Sequence, residues 1–292
     1  MSAHEISGRV VIRPGSGGLP KIVVTTKSST AEIYLHGAQV THFQKIGEPP
    51  LLFLSGKSQF TPGKAIRGGI PICFPWFGSR ANDVAHGFAR ITDWGLTEAR
   101  VLSDSAVQVC SCLPETAART DWPQFKAELT VTVSETLALE FSIQNTDATR
   151  DFVFENLFHA YFSIGDISSV SVAGLQKTAF LDQLENFARK IQPAAPLVFK
   201  SEVDSIFPDS PSQLEIDDAL LRRKIRIKTT GARSTVVWNP WIEKSKRLND
   251  LDEGSFRKFV CVESGNVAED KITLKPGATS ILKAEWSSEP LA

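Results

Sequence analysis

The sequence predicts an all-β fold, either a sandwich or a barrel. Alternating or β-branched runs dominate the chain, and glycine and proline punctuate them at short intervals. Stretches of ten or more residues with helical apolar spacing are scarce. With 292 residues, 42% of them hydrophobic, the chain can bury a large core. Length alone allows one large domain or two ordinary ones.

In chain order, the expected strands are "KIVVTT", "AEIYLHGAQVTHFQ", "SAVQVCSC", "KAELTVTV", "ALEFSIQN", "RKIRIKTT", "STVVWNP", "FVCVESG" and "KITLKPG". "AELTVTVSETLALEFSIQN" reads as a hairpin turning near Ser134 to Thr136. "TLKPGATSILKAEW" reads as another, turning at Pro276-Gly277. Short helical turns are expected near Leu184–Lys190 and Glu253–Phe259. The region from Gln192 to Asp218 holds Pro193, Pro196, Pro208 and Pro211 and reads as loop-rich. Strand patterns of one type continue on both sides of it. One β domain over residues 1–292 with a long excursion there is therefore expected.

Lys plus Arg number 32 and Asp plus Glu 33, a formal net charge of −1. So balanced a chain has no global field to draw in nucleic acid or an anionic membrane, and neither is an expected partner. The first residues, "MSAHEISGRV", lack a charged n-region and an apolar h-region, and no apolar run approaches a membrane span. "EPLA" at the other end is not a prenylation or peroxisomal signal. Four cysteines, Cys73, Cys110, Cys112 and Cys261, do not suggest a disulfide scaffold in so long a chain. A cytoplasmic monomer is expected.

No metal is expected. There is no CxxC pair and no HExxH. His36 and His42 would stand ~20 Å apart on an extended strand unless Gly37 kinks it. Cys110 and Cys112 have no second pair and read as small hydrophobes. Nor is a cofactor expected, since neither a P-loop nor a strand–GxGxxG–helix unit is present.

Several polar residues stand out against apolar surroundings. In "GKAIRGGIPICFPWFG", Arg67 precedes two glycines that allow close backbone approach to a ligand; its planar guanidinium suits phosphate or carboxylate oxygens. The bland alternative is a tight loop with a solvent-facing arginine. "AHGFAR" sets His86 and Arg90 around another glycine, as a polar pocket wall would. Trp238 and Trp241 flank "NP"; they could stack on a sugar ring, although buried tryptophan is the commoner fate. Glu263 ends the apolar run "FVCVE", where partial desolvation would raise its pKa toward a general base's range; a salt-bridged strand-end glutamate is the alternative. His159 in "FENLFHAYF" reads alone as a packed core histidine. Alternation puts Leu157, His159 and Tyr161 on one face and Phe158, Ala160 and Phe162 on the other, so only the first face could line a cleft.

Together, "AIRGGIPICFPWFG", "HGFAR", "ENLFHAYF", "VDSIF", "VVWNP" and "FVCVESGNV" resemble, in order and interval, the glucose-6-phosphate 1-epimerases of the aldose 1-epimerase superfamily, over roughly residues 20 to 286. That resemblance implies a galactose-mutarotase-like β-supersandwich of large antiparallel sheets with its site in an open cleft on one sheet, and no cofactor or metal. It implies His159 as general acid, Glu263 as general base, Arg67 and Arg90 as substrate contacts, and Asp204 of "VDSIF" as a holder of sugar hydroxyls. His86 joins them as a substrate-binding candidate. The chain departs from relatives at Ala85 and Trp76, where some have glutamine.

The reaction so implied is anomer interconversion of a hexose 6-phosphate, glucose 6-phosphate first. A proton leaves the C1 hydroxyl, another reaches the ring oxygen, and the sugar opens and recloses. Histidine, with an ordinary pKa of ~6.5, could serve as a cation near neutral pH. Arg67 and Arg90 would clamp the phosphate, with Lys64 and Lys244 in reserve. Rival expectations are an epimerase of unphosphorylated hexoses, a glycoside hydrolase or lyase using Asp204 and Glu263, and a non-catalytic sugar-phosphate binding protein.

Overall fold

The computed structural model describes residues 4–102, 106–115 and 122–291. Met1 to Ala3, Ala292 and Ser105, at the margins of stretches read above, lie outside it.

Two large antiparallel sheets dominate. The nine-stranded sheet runs, in spatial order, Leu197–Val198, Val170–Ala173, Gln213–Asp218, Arg223–Thr230, Thr279–Pro290, Leu137–Asn145, Phe125–Val133, Val107–Cys112 and Gly95–Val101. The eight-stranded sheet runs Ala188–Ile191, Ala179–Asp182, Val203–Phe207, Ser234–Asn239, Phe259–Asn266, Asn156–Phe158 and Ile72–Cys73, with Tyr161–Ser163 also paired to Phe259–Asn266. A four-stranded meander of Val10–Pro14, Pro20–Thr25, Ser29–Tyr34 and Gln39–Lys45 and the pair Phe152–Phe154 with Ile272–Leu274 complete the framework. The expected all-β architecture is present, and among the described residues no helix is long and apolar enough to cross a membrane.

One apolar cluster takes side chains from the three larger sheets. Phe74 sits within it, edge-on to Phe125 and Phe141 at 5.3 Å each, while Phe158 meets Trp286 across the sheets at 6.0 Å. Aromatic edge contacts of this kind add to the area that each ring buries.

Several expected elements take a different form. "AEIYLHGAQVTHFQ" is two strands, because Gly37 and Ala38 both adopt positive φ and turn the chain back on itself. The separation reckoned for His36 and His42 on one extended strand therefore does not apply. The turn at Pro276-Gly277 forms, but its arms do not pair: Ile272–Leu274 joins Phe152–Phe154, and Thr279–Pro290 lies between two strands of the nine-stranded sheet. The hairpin expected at Ser134 to Thr136 is formed. The supposed loop of residues 192–218 contains three strands, and Val203–Phe207 lies inside the eight-stranded sheet. The prolines there bracket the strands rather than interrupt them. A helix not anticipated, Trp241–Ser245, follows Pro240.

The glycines after Arg67 also serve another purpose than expected. A Cβ on Gly68 would stand 2.4 Å from the Phe53 carbonyl oxygen, and one on Gly69 2.2 Å from that of Val40, both at positive φ. The close approach is to the protein's own backbone, and it fixes where Arg67 emerges. Gly69→Ala is expected to cost about 2–5 kcal/mol through left-handed strain and overpacking. Urea unfolding measures it, and an unchanged midpoint would refute the packing account.

Candidate active site

The eight-stranded sheet has one face against the core and one open. Phe158, Ala160 and Phe162 point into the main core, whereas Leu157 and Tyr161 belong to apolar clusters on the other side. The alternation expected for this stretch holds. Phe158 pairs with Ser264 and Tyr161 with Cys261; the same register on either side of the unpaired His159 and Ala160 sets His159 across from Glu263. Glu263 in turn pairs with Val236, and Asp204 with Trp238, so four adjacent strands carry the floor of one cleft.

That cleft, about 350 Å³, is lined by Arg67, His86, Arg90, His159, Asp204 and Glu263 among others. All six candidate residues chosen from the sequence thus meet in one place. The side chains of His159 and Glu263 are 7% and 1% exposed, so their charges have little access to water. Nδ1 of His159 lies 3.3 Å from Oε1 of Glu263, in ion-pair range but without hydrogen-bond alignment, and both Nδ1 and Oε2 lack a hydrogen-bond partner. Buried polar atoms are ordinarily satisfied, so two orphans beside a cleft are exceptional. Tyr161 stacks on the imidazole at 4.7 Å and 6°, and Trp238 meets it edge-on at 5.9 Å. These rings hold its orientation.

The two arginines come from outside the sheets, Arg67 from a loop and Arg90 from the short 3-10 helix Ala89–Ile91. Arg67 donates through Nη1 to Tyr161 Oη at 2.9 Å and pairs through Nη2 with Asp250 at 3.0 Å. Arg90 donates through Nη2 to the Ala85 carbonyl at 2.8 Å. Each retains a buried Nε without a partner. His36 links their two segments, with Nδ1 2.7 Å from Asp93 and Nε2 2.9 Å from the Lys64 carbonyl oxygen.

Burial sets the protonation of the pair. Desolvation, then His86 and the charges of Arg90 and Arg67, push the His159 pKa well below 6.5. Desolvation and Asp204 raise that of Glu263 well above 4.5. Both shifts favour the uncharged forms, a protonated carboxyl and a neutral imidazole. This corrects the expectation of a cationic histidine, which took the solvent pKa without its burial. Desolvation pushes His86 down to about 3, with Arg90 and Arg67 adding to it. For Arg67 burial opposes the charge, but Tyr161 and Asp250 outweigh it and hold the pKa above its ordinary value. Burial, with Arg67 nearby, lowers that of Arg90.

These shifts carry a stability consequence. Below about pH 6.5 an unfolded histidine takes up a proton that folded His86 and His159 refuse, so the unfolded state binds more protons and stability falls with acidification. The contribution is whole above pH 6.5 and is lost as pH falls toward His86's value of about 3. His86→Asn, whose short side chain tolerates the positive φ at this position, should reduce the loss between pH 6.5 and 5 by about 1–2 kcal/mol. Denaturant melts at the two values decide it; equal losses in both proteins would contradict the assignment.

The remaining candidates separate. Lys244 pairs with Glu202 at 3.0 Å and Asp204 at 3.2 Å, which occupies it as an anion donor. Gln183 also donates to Asp204. Lys64 contributes its carbonyl rather than its ammonium to the neighbourhood. Trp238 lines the cleft, whereas Trp241 packs on Phe256 at 5.6 Å. Trp76 donates to the Val84 carbonyl at 2.9 Å and packs on Phe88 and Trp122, outside the cleft lining. Ala85 reaches the cleft and offers its backbone to Arg90. Gln183 and Asp250 were not foreseen; nothing in their sequence neighbourhoods distinguishes them.

A family model described as Aldose 1-epimerase matches residues 20–284. A protein of Cenchrus ciliaris named "Putative glucose-6-phosphate 1-epimerase" is 37% identical over 270 residues, covering 89% of this chain and 82% of that one. One of the same name from Salmonella typhimurium is 32% identical over 250 residues, covering 84% and 83%. The crystal structure of a "putative mutarotase" from Salmonella typhimurium superposes with a TM-score of 0.90 at 27% identity, covering 98% of this chain and 96% of that chain.

Proposed function

Because the chain belongs to the aldose 1-epimerase family, we propose that its cleft interconverts the α and β anomers of glucose 6-phosphate by acid–base ring opening and reclosure. The observation that carries the proposal is the buried His159–Glu263 pair, 3.3 Å apart with unsatisfied atoms, beside two buried arginines.

The pair holds one acidic proton. Glu263 passes it to Nδ1 of His159, which becomes the imidazolium. The carboxylate so formed takes the proton of the C1 hydroxyl while Nε2–H protonates the ring oxygen. The C1–O5 bond breaks and the sugar opens to the aldehyde. Carboxyl and neutral imidazole are regenerated, the imidazole now carrying its proton on Nδ1. Rotation about C1–C2 presents the other carbonyl face, and reclosure runs each transfer backwards. Protons alone balance the reaction, so it calls for neither a nucleophile nor an electron carrier. Low local dielectric keeps the transfers short and strong.

The 6-phosphate carries up to two negative charges near neutral pH, as other phosphate monoesters do. Free Nε donors on Arg67 and Arg90 suit it. Names of the similar proteins support this choice of substrate over an unphosphorylated hexose. The test is proton NMR on one pure anomer of glucose 6-phosphate, following the anomeric signals. Catalytic amounts of protein should accelerate equilibration. Equal acceleration of free glucose would point to an unphosphorylated hexose. Release of product from a glycoside, or binding without acceleration, would overturn the proposal.

A further inference from the structure

Among the described residues, one group of side chains brings metal-ligating atoms together. His159, Cys261 and Glu263 each offer one such atom, all within 4.8 Å of one another and all buried. Cys261 lies two residues before Glu263 on the strand Phe259–Asn266 and so shares its face. The acid–base reaction has no use for Cys261. Two of the three residues also present orphaned buried atoms, His159 Nδ1 and Glu263 Oε2.

We propose that this trio is an inhibitory site for a borderline-soft divalent cation, zinc being the ion whose ligand preferences it fits. Zinc takes nitrogen, thiolate and carboxylate oxygen at about 2.0–2.3 Å in a tetrahedron, which puts neighbouring ligand atoms roughly 3.3–3.7 Å apart. The His159–Glu263 contact of 3.3 Å already meets that spacing. Hard cations such as magnesium or calcium prefer sets of oxygens, and a thiol and an imidazole suit them poorly.

Charge bookkeeping favours the exchange despite Arg67 and Arg90 nearby. Burial raises the Cys261 thiol well above its ordinary pKa and favours the protonated form of the Glu263 carboxyl. When the ion enters, the Cys261 S–H and the Glu263 O–H each release one proton to solvent. Two positive charges leave as two arrive, so the buried site stays as neutral as before. His159 ligates without losing a proton, since burial already holds it neutral. Affinity rises with pH because protons are released.

Inhibition follows from the proposed acid–base reaction and rests on it: an ion on His159 and Glu263 occupies both proton carriers, and the sugar must displace it. Cobalt(II) serves as a spectroscopic probe of binding independent of activity. The full chain should bind one equivalent with a thiolate-to-cobalt charge-transfer band, which glucose 6-phosphate diminishes. Zinc should inhibit anomerisation reversibly, with chelator restoring the rate. Cys261→Ala should keep the basal rate, lose the band and need at least about 10-fold more zinc for equal inhibition, as loss of a contact to the ion predicts. Cys110 and Cys112, half-buried on the nine-stranded sheet, and Cys73, buried on the strand Ile72–Cys73, are the competing thiols. A band surviving in the Cys261→Ala protein belongs to them and overturns the proposal, as does zinc inhibition unchanged by that substitution. A cobalt band in a protein without anomerase activity would overturn the acid–base reading alone, while activity without a band would overturn the metal site alone.

Discussion

Glu263→Gln and His159→Ala are each expected to lower kcat for glucose 6-phosphate anomerisation by about 10²–10⁴, the usual contribution of a positioned proton transfer. Both residues are almost fully buried, so the fold must be shown to survive. Glu263→Gln keeps size and a polar head, and it removes the one proton that the pair exchanges. His159→Ala leaves a cavity under Tyr161, whose ring stacks on the imidazole; a loss of about 1–3 kcal/mol in stability is expected with it. The two effects are separable. Unfolding melts report the cavity, and single-turnover NMR with intact protein reports the chemistry. Non-additivity adds a third reading. One proton serves both residues, so the double variant should be scarcely worse than either single one. Independent, multiplying losses would argue against a shared proton.

Much of the strand content was legible because period-two alternation is a local property, and the hairpin at Ser134 to Thr136 shows that reading at its best. Topology was not local. The turn at Pro276-Gly277 was legible, but whether its arms pair depends on Phe152–Phe154 and Leu137–Asn145, which lie more than a hundred residues away in sequence. Proline misled in residues 192–218, since its position relative to the strands, not its number, decides whether a sheet can form. At the site, alternation correctly gave His159's face. Its opposition to Glu263 follows only from pairing register, and its protonation only from burial. Gln183 and Asp250 reach the site from segments that carry no periodic signal, and such contacts are set by the finished fold.

Removal of either cleft arginine should act on the phosphate. Arg67 spends one N–H of each Nη on Tyr161 and Asp250, which leaves three of its five N–H groups, the unpartnered Nε among them. Arg90 spends Nη2 on a carbonyl and likewise keeps Nε free. A charge-assisted hydrogen bond to an anion is worth about 1.5–3 kcal/mol, which converts to roughly 10–150-fold in KM. Arg90→Ala is therefore expected to raise KM for glucose 6-phosphate by that factor while leaving KM for free glucose within about 5-fold, because uncharged glucose forfeits only ordinary hydrogen bonds of about 1 kcal/mol or less. Arg67→Ala should raise KM for both sugars and lower stability as well, since it strands Asp250 and the Tyr161 hydroxyl without their partner. Arg67→Lys keeps the charge but loses the planar fork; it should restore part of the phosphate preference and little of the stability. Measured on both sugars, equal KM increases in the Arg90 variant would remove the phosphate from this end of the cleft. A change confined to kcat would instead place the guanidinium beside the proton-transfer pair, where its field helps to keep His159 neutral.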